Sequence, residues 1–110
     1  MIQEELVTLE TADLLKEKGF NERKYLIDVS TLNHCYKYLS VPPQSVAQKW
    51  LRETKNLHIE ISYMYENYWT YDIQTIPRHD LIGLEDRASV RYNTYEEALE
   101  AGLQEALKLI

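Results

Sequence analysis

The sequence predicts an α+β fold: an antiparallel sheet built from two β-hairpins, with three helices packed on one face in the order α-ββ-α-ββ-α. Three observations predict it. Residues 59–73 read IEISYMYENYWTYDI, two alternating runs around a polar break, and period two is the signature of half-buried strands. Thr94 is followed three positions on by Glu97, and then by Leu99, Leu103 and Leu107, the capping pattern and apolar spacing of an amphipathic helix. Helical stretches also alternate with short strand-like runs along the chain, an order that layers helices on an antiparallel sheet.

The first helix is expected over residues 9–18, with Thr8 as N-cap, Leu9, Ala12, Leu14 and Leu15 inward, and Glu10 and Asp13 near the positive helix end. Gly19 suits the left-handed stop, and Phe20 beyond it folds back on Leu15. Strands are expected over residues 25–29 and 35–39, joined by a turn through Ser30, Thr31 and Asn33. Pro42 and Pro43 then stop the chain just before a second helix over residues 44–55. Its inner stripe is Val46, Ala47, Trp50, Leu51 and Thr54.

The second hairpin is expected over residues 57–65 and 69–76, with a loop of Glu66, Asn67 and Tyr68. That loop sets Tyr65 opposite Trp69, Tyr63 opposite Tyr71, Ile61 opposite Ile73 and Ile59 opposite Thr75. A two-residue turn mixes the faces, and a one-residue slip turns every ring to the wrong side. Residues 77–89 form the longest irregular stretch, residues 90–92 a short strand, and a helix capped by Thr94 closes the chain.

A chain of 110 residues suits one domain, 1–110. Net charge is −6 and the isoelectric point is near 5, which argues against gripping a nucleic-acid backbone across the whole surface. Cys35 is the sole cysteine, so no intrachain disulfide forms and a reducing, cytoplasmic setting fits. The start MIQEELVTLE lacks the basic and apolar regions of a signal peptide, and no apolar run reaches membrane-spanning length.

Five rings fall within residues 59–73. Tyr63, Tyr65, Trp69 and Tyr71 share a face with Ile59, Ile61 and Ile73, so they read first as core beneath the helices. The second reading is a partner surface at Tyr65, Tyr68 and Trp69. A nucleobase platform ranks last, because the glycine-rich signature and basic surround of such sheets are missing. Lys49, Arg52 and Lys55 share the outer side of the second helix, either as a solvated face or as contacts to phosphate or an acidic partner. The segment SVAQKWLRE resembles a helix-turn-helix element, but no second helix stands at the right distance. Ala98, Gly102 and Ala106 form a small-residue stripe. A mid-helix glycine costs about 1 kcal/mol relative to alanine, so Gly102 implies close approach of another backbone, either the chain's own sheet or a partner helix.

Metal ligation has only His34, Cys35, His58 and His79 to draw on, without motif spacing. Cys35 reads as an ordinary small apolar residue. Arg78, His79 and Asp80 are the most enzyme-like run, yet no nucleophile or phosphate-binding loop accompanies them. No catalytic residue, metal or cofactor is therefore indicated.

TLETADLLKEKGFNE (8–22), PPQSVAQKWLRETKNLHIEI (42–61) and YNTYEEALEAGLQEALKLI (92–110) resemble a family of small uncharacterised proteins of gut Bacteroidales bacteria, their phages and prophages. QKWLRE and YEEALEAGL are the most specific phrases. Members often carry Pro-Thr-Gln where this chain has Pro42, Pro43 and Gln44. The resemblance implies a phage or mobile-element accessory protein and brings no activity with it. The expected function is a non-enzymatic module that binds an unidentified protein partner, with a second copy of the chain as one candidate. Alternatives are nucleic-acid binding through the second helix and, after that, an enzyme using residues 77–89.

Overall fold

A computed structural model describes residues 4–32, 34, 36–82 and 91–110. The expectations for Asn33, Cys35 and residues 83–90 lie outside the described residues. The element order is helix α1 (Leu9–Glu17), strands β1 (Leu26–Asp28) and β2 (Tyr38–Ser40), helix α2 (Gln44–Thr54), strands β3 (Leu57–Met64), β4 (Tyr68–Thr75) and β5 (Leu81–Ile82), and helix α3 (Tyr95–Leu109). The fold is α+β. The two hairpins form separate antiparallel sheets among the described residues, β1-β2 and β3-β4-β5, rather than one. The short strand β5 lies inside the stretch expected to be irregular. Residues 23–25 and 30–32 take 3-10 turns, which trims the first hairpin to three pairs.

Local chemistry explains where the helices begin and end. Thr8 caps α1 by accepting from the Thr11 N–H at 3.2 Å. Gly19 ends it at φ 107°, with the Phe20 N–H donating to the Leu15 carbonyl at 2.9 Å, the bond of a left-handed helix stop. Pro43 leaves α2 without a side-chain cap, and the Glu5 carbonyl supplies an acceptor for the Gln44 N–H at 2.8 Å. Thr94 caps α3 through the Glu97 N–H at 3.1 Å, while the Glu97 carboxylate accepts from the Asn93 N–H.

The register of the long hairpin corrects the expected one. The pairs are Tyr63 with Trp69, Ile61 with Tyr71, Ile59 with Ile73 and Leu57 with Thr75. The loop is Tyr65, Glu66 and Asn67, not Glu66 to Tyr68, so the arms are displaced by two residues. Two is the side-chain period of a strand, so the same residues still share a face. The turn chemistry gives the reason. Glu66 and Asn67 carry φ of 79° and 66°, and this placement spares the bulky Tyr68 a left-handed conformation. The Tyr63 hydroxyl also donates to Asn67 Oδ1 at 2.6 Å.

Helix α3 lies on the face carrying Ile59, Tyr71 and Ile73, α2 runs beside β3, and α1 packs on α3 and β2. Leu15, Leu51, Ile59, Ile73, Leu103 and Leu107 are fully buried between them. The small stripe Ala98, Gly102 and Ala106 is wholly buried in the chain's own core. A Cβ at Gly102 would stand 2.8 Å from Ile59 Cγ2 and 3.2 Å from the Tyr71 ring. In α2, Ala47 and Leu51 are buried, Val46 and Trp50 half-buried, and Thr54 exposed, its hydroxyl donating to the Trp50 carbonyl.

A second tie was not legible in the sequence. The Glu100 carboxylate accepts from the Thr8 N–H and hydroxyl at 3.0 Å each, from Gln44 Nε2 at 2.9 Å and from the Thr11 hydroxyl. One anion therefore joins α3 to the start of α1, where the helix dipole favours it, and to the start of α2. Gln104 Nε2 donates to the buried Thr11 hydroxyl at 3.0 Å.

Gly102→Ala is expected to lower stability by about 1–3 kcal/mol in urea denaturation, because overpacking outweighs the gain in helix propensity. Ile59→Leu, which removes the Cγ2 branch, recovers part of that loss. Glu100→Ala is expected to cost about 2–3 kcal/mol by leaving several donors without an acceptor, and Glu100→Gln less, since it keeps one carbonyl oxygen.

Candidate functional site

The distinctive surface is the outer end of the β3–β4 hairpin. The expectation that its rings lie beneath the helices is corrected there. Tyr71 and Trp69 are half-buried, Tyr63 is 58% exposed, and Tyr65 at the turn is 93% exposed. Helix α3 begins at Tyr95, beside Trp69, so among the described residues the ladder beyond that point has no helix over it. Tyr63, Trp69 and Tyr95 form a row, with ring centroids 4.8 Å apart in the first pair and 5.6 Å, edge-on, in the second. Such pairs hold one another in place.

The structure divides the expected trio Tyr65, Tyr68 and Trp69. Successive strand residues face opposite sides, so Tyr68 lies across the sheet from Trp69. There the Arg91 guanidinium stands 4.3 Å above the Tyr68 ring and 3.2 Å from Glu66 Oε2. Tyr63 and Tyr95 complete the exposed row instead. Tyr63 is legible as a strand residue, and period two alone places it with the core. Nothing local in the sequence brings Tyr95, the first residue of α3, to the hairpin.

Lys49, Arg52 and Lys55 do not build a uniformly basic face. Lys49 is exposed and shares a hollow with Glu22, Lys24 and Glu53. Arg52 is half-buried, and the Lys55 ammonium sits 5.5 Å from the centre of the Trp50 ring. Arg78, His79 and Asp80 occupy the exposed connection between β4 and β5, where a His79 ring nitrogen lies 2.8 Å from Gln74 Oε1. His34 Nε2 lies 2.9 Å from an Asp13 carboxylate oxygen, and its Nδ1 accepts from the Tyr36 N–H at 3.1 Å. Nδ1 is thereby the bare nitrogen and Nε2 the protonated one. Among the described residues no group of three or more His, Cys, Asp or Glu is placed to hold a metal ion. No helix among them is long and apolar enough to cross a membrane.

Tyr71 links the row to the core. Burial, with smaller contributions from Tyr92 and Glu105, pushes its phenol up to about 12. Burial and Glu105 also raise the Tyr92 phenol. The two rings lie 6.1 Å apart.

No family model matches the chain, and neither a curated protein nor a solved structure matches it.

The Tyr71 phenol holds its proton more tightly folded than unfolded, so its contribution to stability is complete below pH about 10 and is lost as pH rises toward about 12. Alkaline denaturation is therefore expected in that window. In tyrosinate absorbance titrations of the native protein, Tyr71→Phe is expected to remove a late-titrating phenol and flatten the decline.

Proposed function

We propose that the chain is a non-enzymatic protein-binding module that docks through the outer end of the β3–β4 hairpin. The observation that carries this reading is the ring row. Tyr63 and Tyr65 stand open to water, Trp69 backs Tyr63, and Tyr95 in turn stands edge-on to Trp69. Aromatic side chains are enriched at the centres of protein interfaces. Covering an exposed apolar side chain is worth roughly 1.5–3 kcal/mol before the costs of association. Those costs are lowered here, because the Tyr63 ring rests on Trp69 and its hydroxyl is held by Asn67. An accessory role in a phage or other mobile element accords with the resemblance of the three segments around residues 8–22, 42–61 and 92–110.

Comparative affinity capture from host cells tests the reading. Wild-type protein is expected to retain a partner that a Tyr63→Ser/Tyr65→Ser variant loses at least tenfold, with Tyr65→Ser alone intermediate and the thermal midpoint nearly unchanged. Equal recovery by all three proteins would reject this surface.

A further inference from the structure

Among the described residues strand β3 is an edge strand, and α2 reaches its edge at Ile59. Trp69 exchanges both main-chain bonds with Tyr92 on its outer side, at 2.8 and 3.1 Å. Trp69 and its cross-strand partner Tyr63 therefore turn their N–H and C=O groups away from each other. Period two extends this to Ile61 and Ile59. The contact at Ile59 agrees, because its carbonyl accepts from Gln48 Nε2 of α2 at 2.7 Å. Beyond Ile59 the main-chain groups of Ile61 and Tyr63 face outward, with no hydrogen-bond partner among the described residues. The far edge of β4 differs, being occupied by β5 and by Tyr92.

An acidic hollow flanks this open edge. Glu4, Glu5 and Glu96 line it together with Gln48, which contacts the edge at Ile59, and Tyr95, whose ring belongs to the exposed row. No basic residue lines it among the described residues.

Resting on the protein-binding reading above, we infer that the partner contributes an extended, basic segment that adds as a strand to the Ile61–Tyr63 edge of β3. Main-chain pairing supplies the attachment and alternate side chains the specificity. Every second side chain of the added strand falls on the α3 side. A lysine or arginine there lays its stem against Tyr63 and Tyr95 and its cation among the three glutamates. A second copy of the chain is the poorer occupant. It brings Glu60 on the same edge, its own acidic hollow and a net charge of −6, like charge against like.

Titration of isotope-labelled protein with a seven-residue threonine–lysine alternating peptide tests this by NMR. Binding is expected to shift the Ile61 and Tyr63 amides and slow their hydrogen exchange. Affinity is expected to fall at least tenfold when alternate peptide nitrogens are methylated, which blocks pairing and keeps the charge. A similar fall is expected when glutamate replaces lysine, and at least threefold when the protein carries Glu5→Gln and Glu96→Gln. Tyr63→Pro, at an outward N–H that an edge strand tolerates, is expected to abolish binding, and the methylated peptide makes the same test should that variant not fold. Equal binding of the methylated peptide, or shifts confined to other surfaces, overturns the inference. So does a dimeric mass in light scattering with the Ile61 and Tyr63 amides already protected. Loss of captured partner in the Tyr63→Ser/Tyr65→Ser variant alongside a failed peptide titration leaves the aromatic docking surface standing and removes only the added strand.

Discussion

The close approach of α3 to the β3–β4 ladder at Gly102 governs the rest of the molecule. With no Cβ at that point, the helix backbone settles against Ile59 and Tyr71. Leu99, Leu103 and Leu107 then reach the buried layer, and Ala98 and Ala106 fit the flanks of the contact. Cores are packed about as densely as organic crystals, so a helix standing off by even a methyl diameter would leave those leucines with gaps they cannot fill. The same seating aims Glu100 at the starts of α1 and α2, where one carboxylate accepts from Thr8, Thr11 and Gln44. The seat and the tie reinforce each other, since the anion joins the helices only where α3 lies this deep.

That seating also decides which rings remain outside. The arms of the second hairpin have eight residues each, about 26 Å of strand. Helix α3 starts beside Trp69 and covers the inner part. The outer end projects with Tyr63 and Tyr65 exposed, held by a turn and by neighbouring rings rather than by a covering layer. Exposed edges and aromatic clusters are features that proteins usually cover or blunt. Among the described residues the far edge is closed by β5 and Tyr92, and the near edge is met by α2 at Ile59 and not beyond it. Protection that stops short in this way, beside three glutamates, marks one end of the molecule as different from the rest.

Charge distribution points to the same end. Lys49 of α2 shares a separate hollow with Glu22 and Glu53, and Lys55, just past the helix, lies over the Trp50 ring. Such an arrangement offers a phosphate chain little continuous attraction. The acidic hollow has no such mixture among the described residues, so its field favours a cationic partner at short range.

What the sequence determined by itself was local: the caps at Thr8 and Thr94, the stop at Gly19, the order of the three helices and two hairpins, and which residues of the long hairpin share a face. Each depends on a few neighbouring residues or on a period of two or 3.6. Gly102 was legible as a point of close approach, because a glycine inside a helix needs a reason, but what comes close is the Ile59 and Tyr71 side chains rather than the expected backbone. Only the tertiary structure decided the two-residue displacement of the hairpin arms, the division into two sheets, the meeting of Tyr95 with Trp69, and the convergence of Thr8, Gln44 and Glu100. A displacement of two preserves the pattern of faces, so periodicity cannot detect it, and the turn geometry at Glu66 and Asn67 chose between the registers. The last two bring together residues up to 92 positions apart, and their encounter follows from how the helices seat on the sheet.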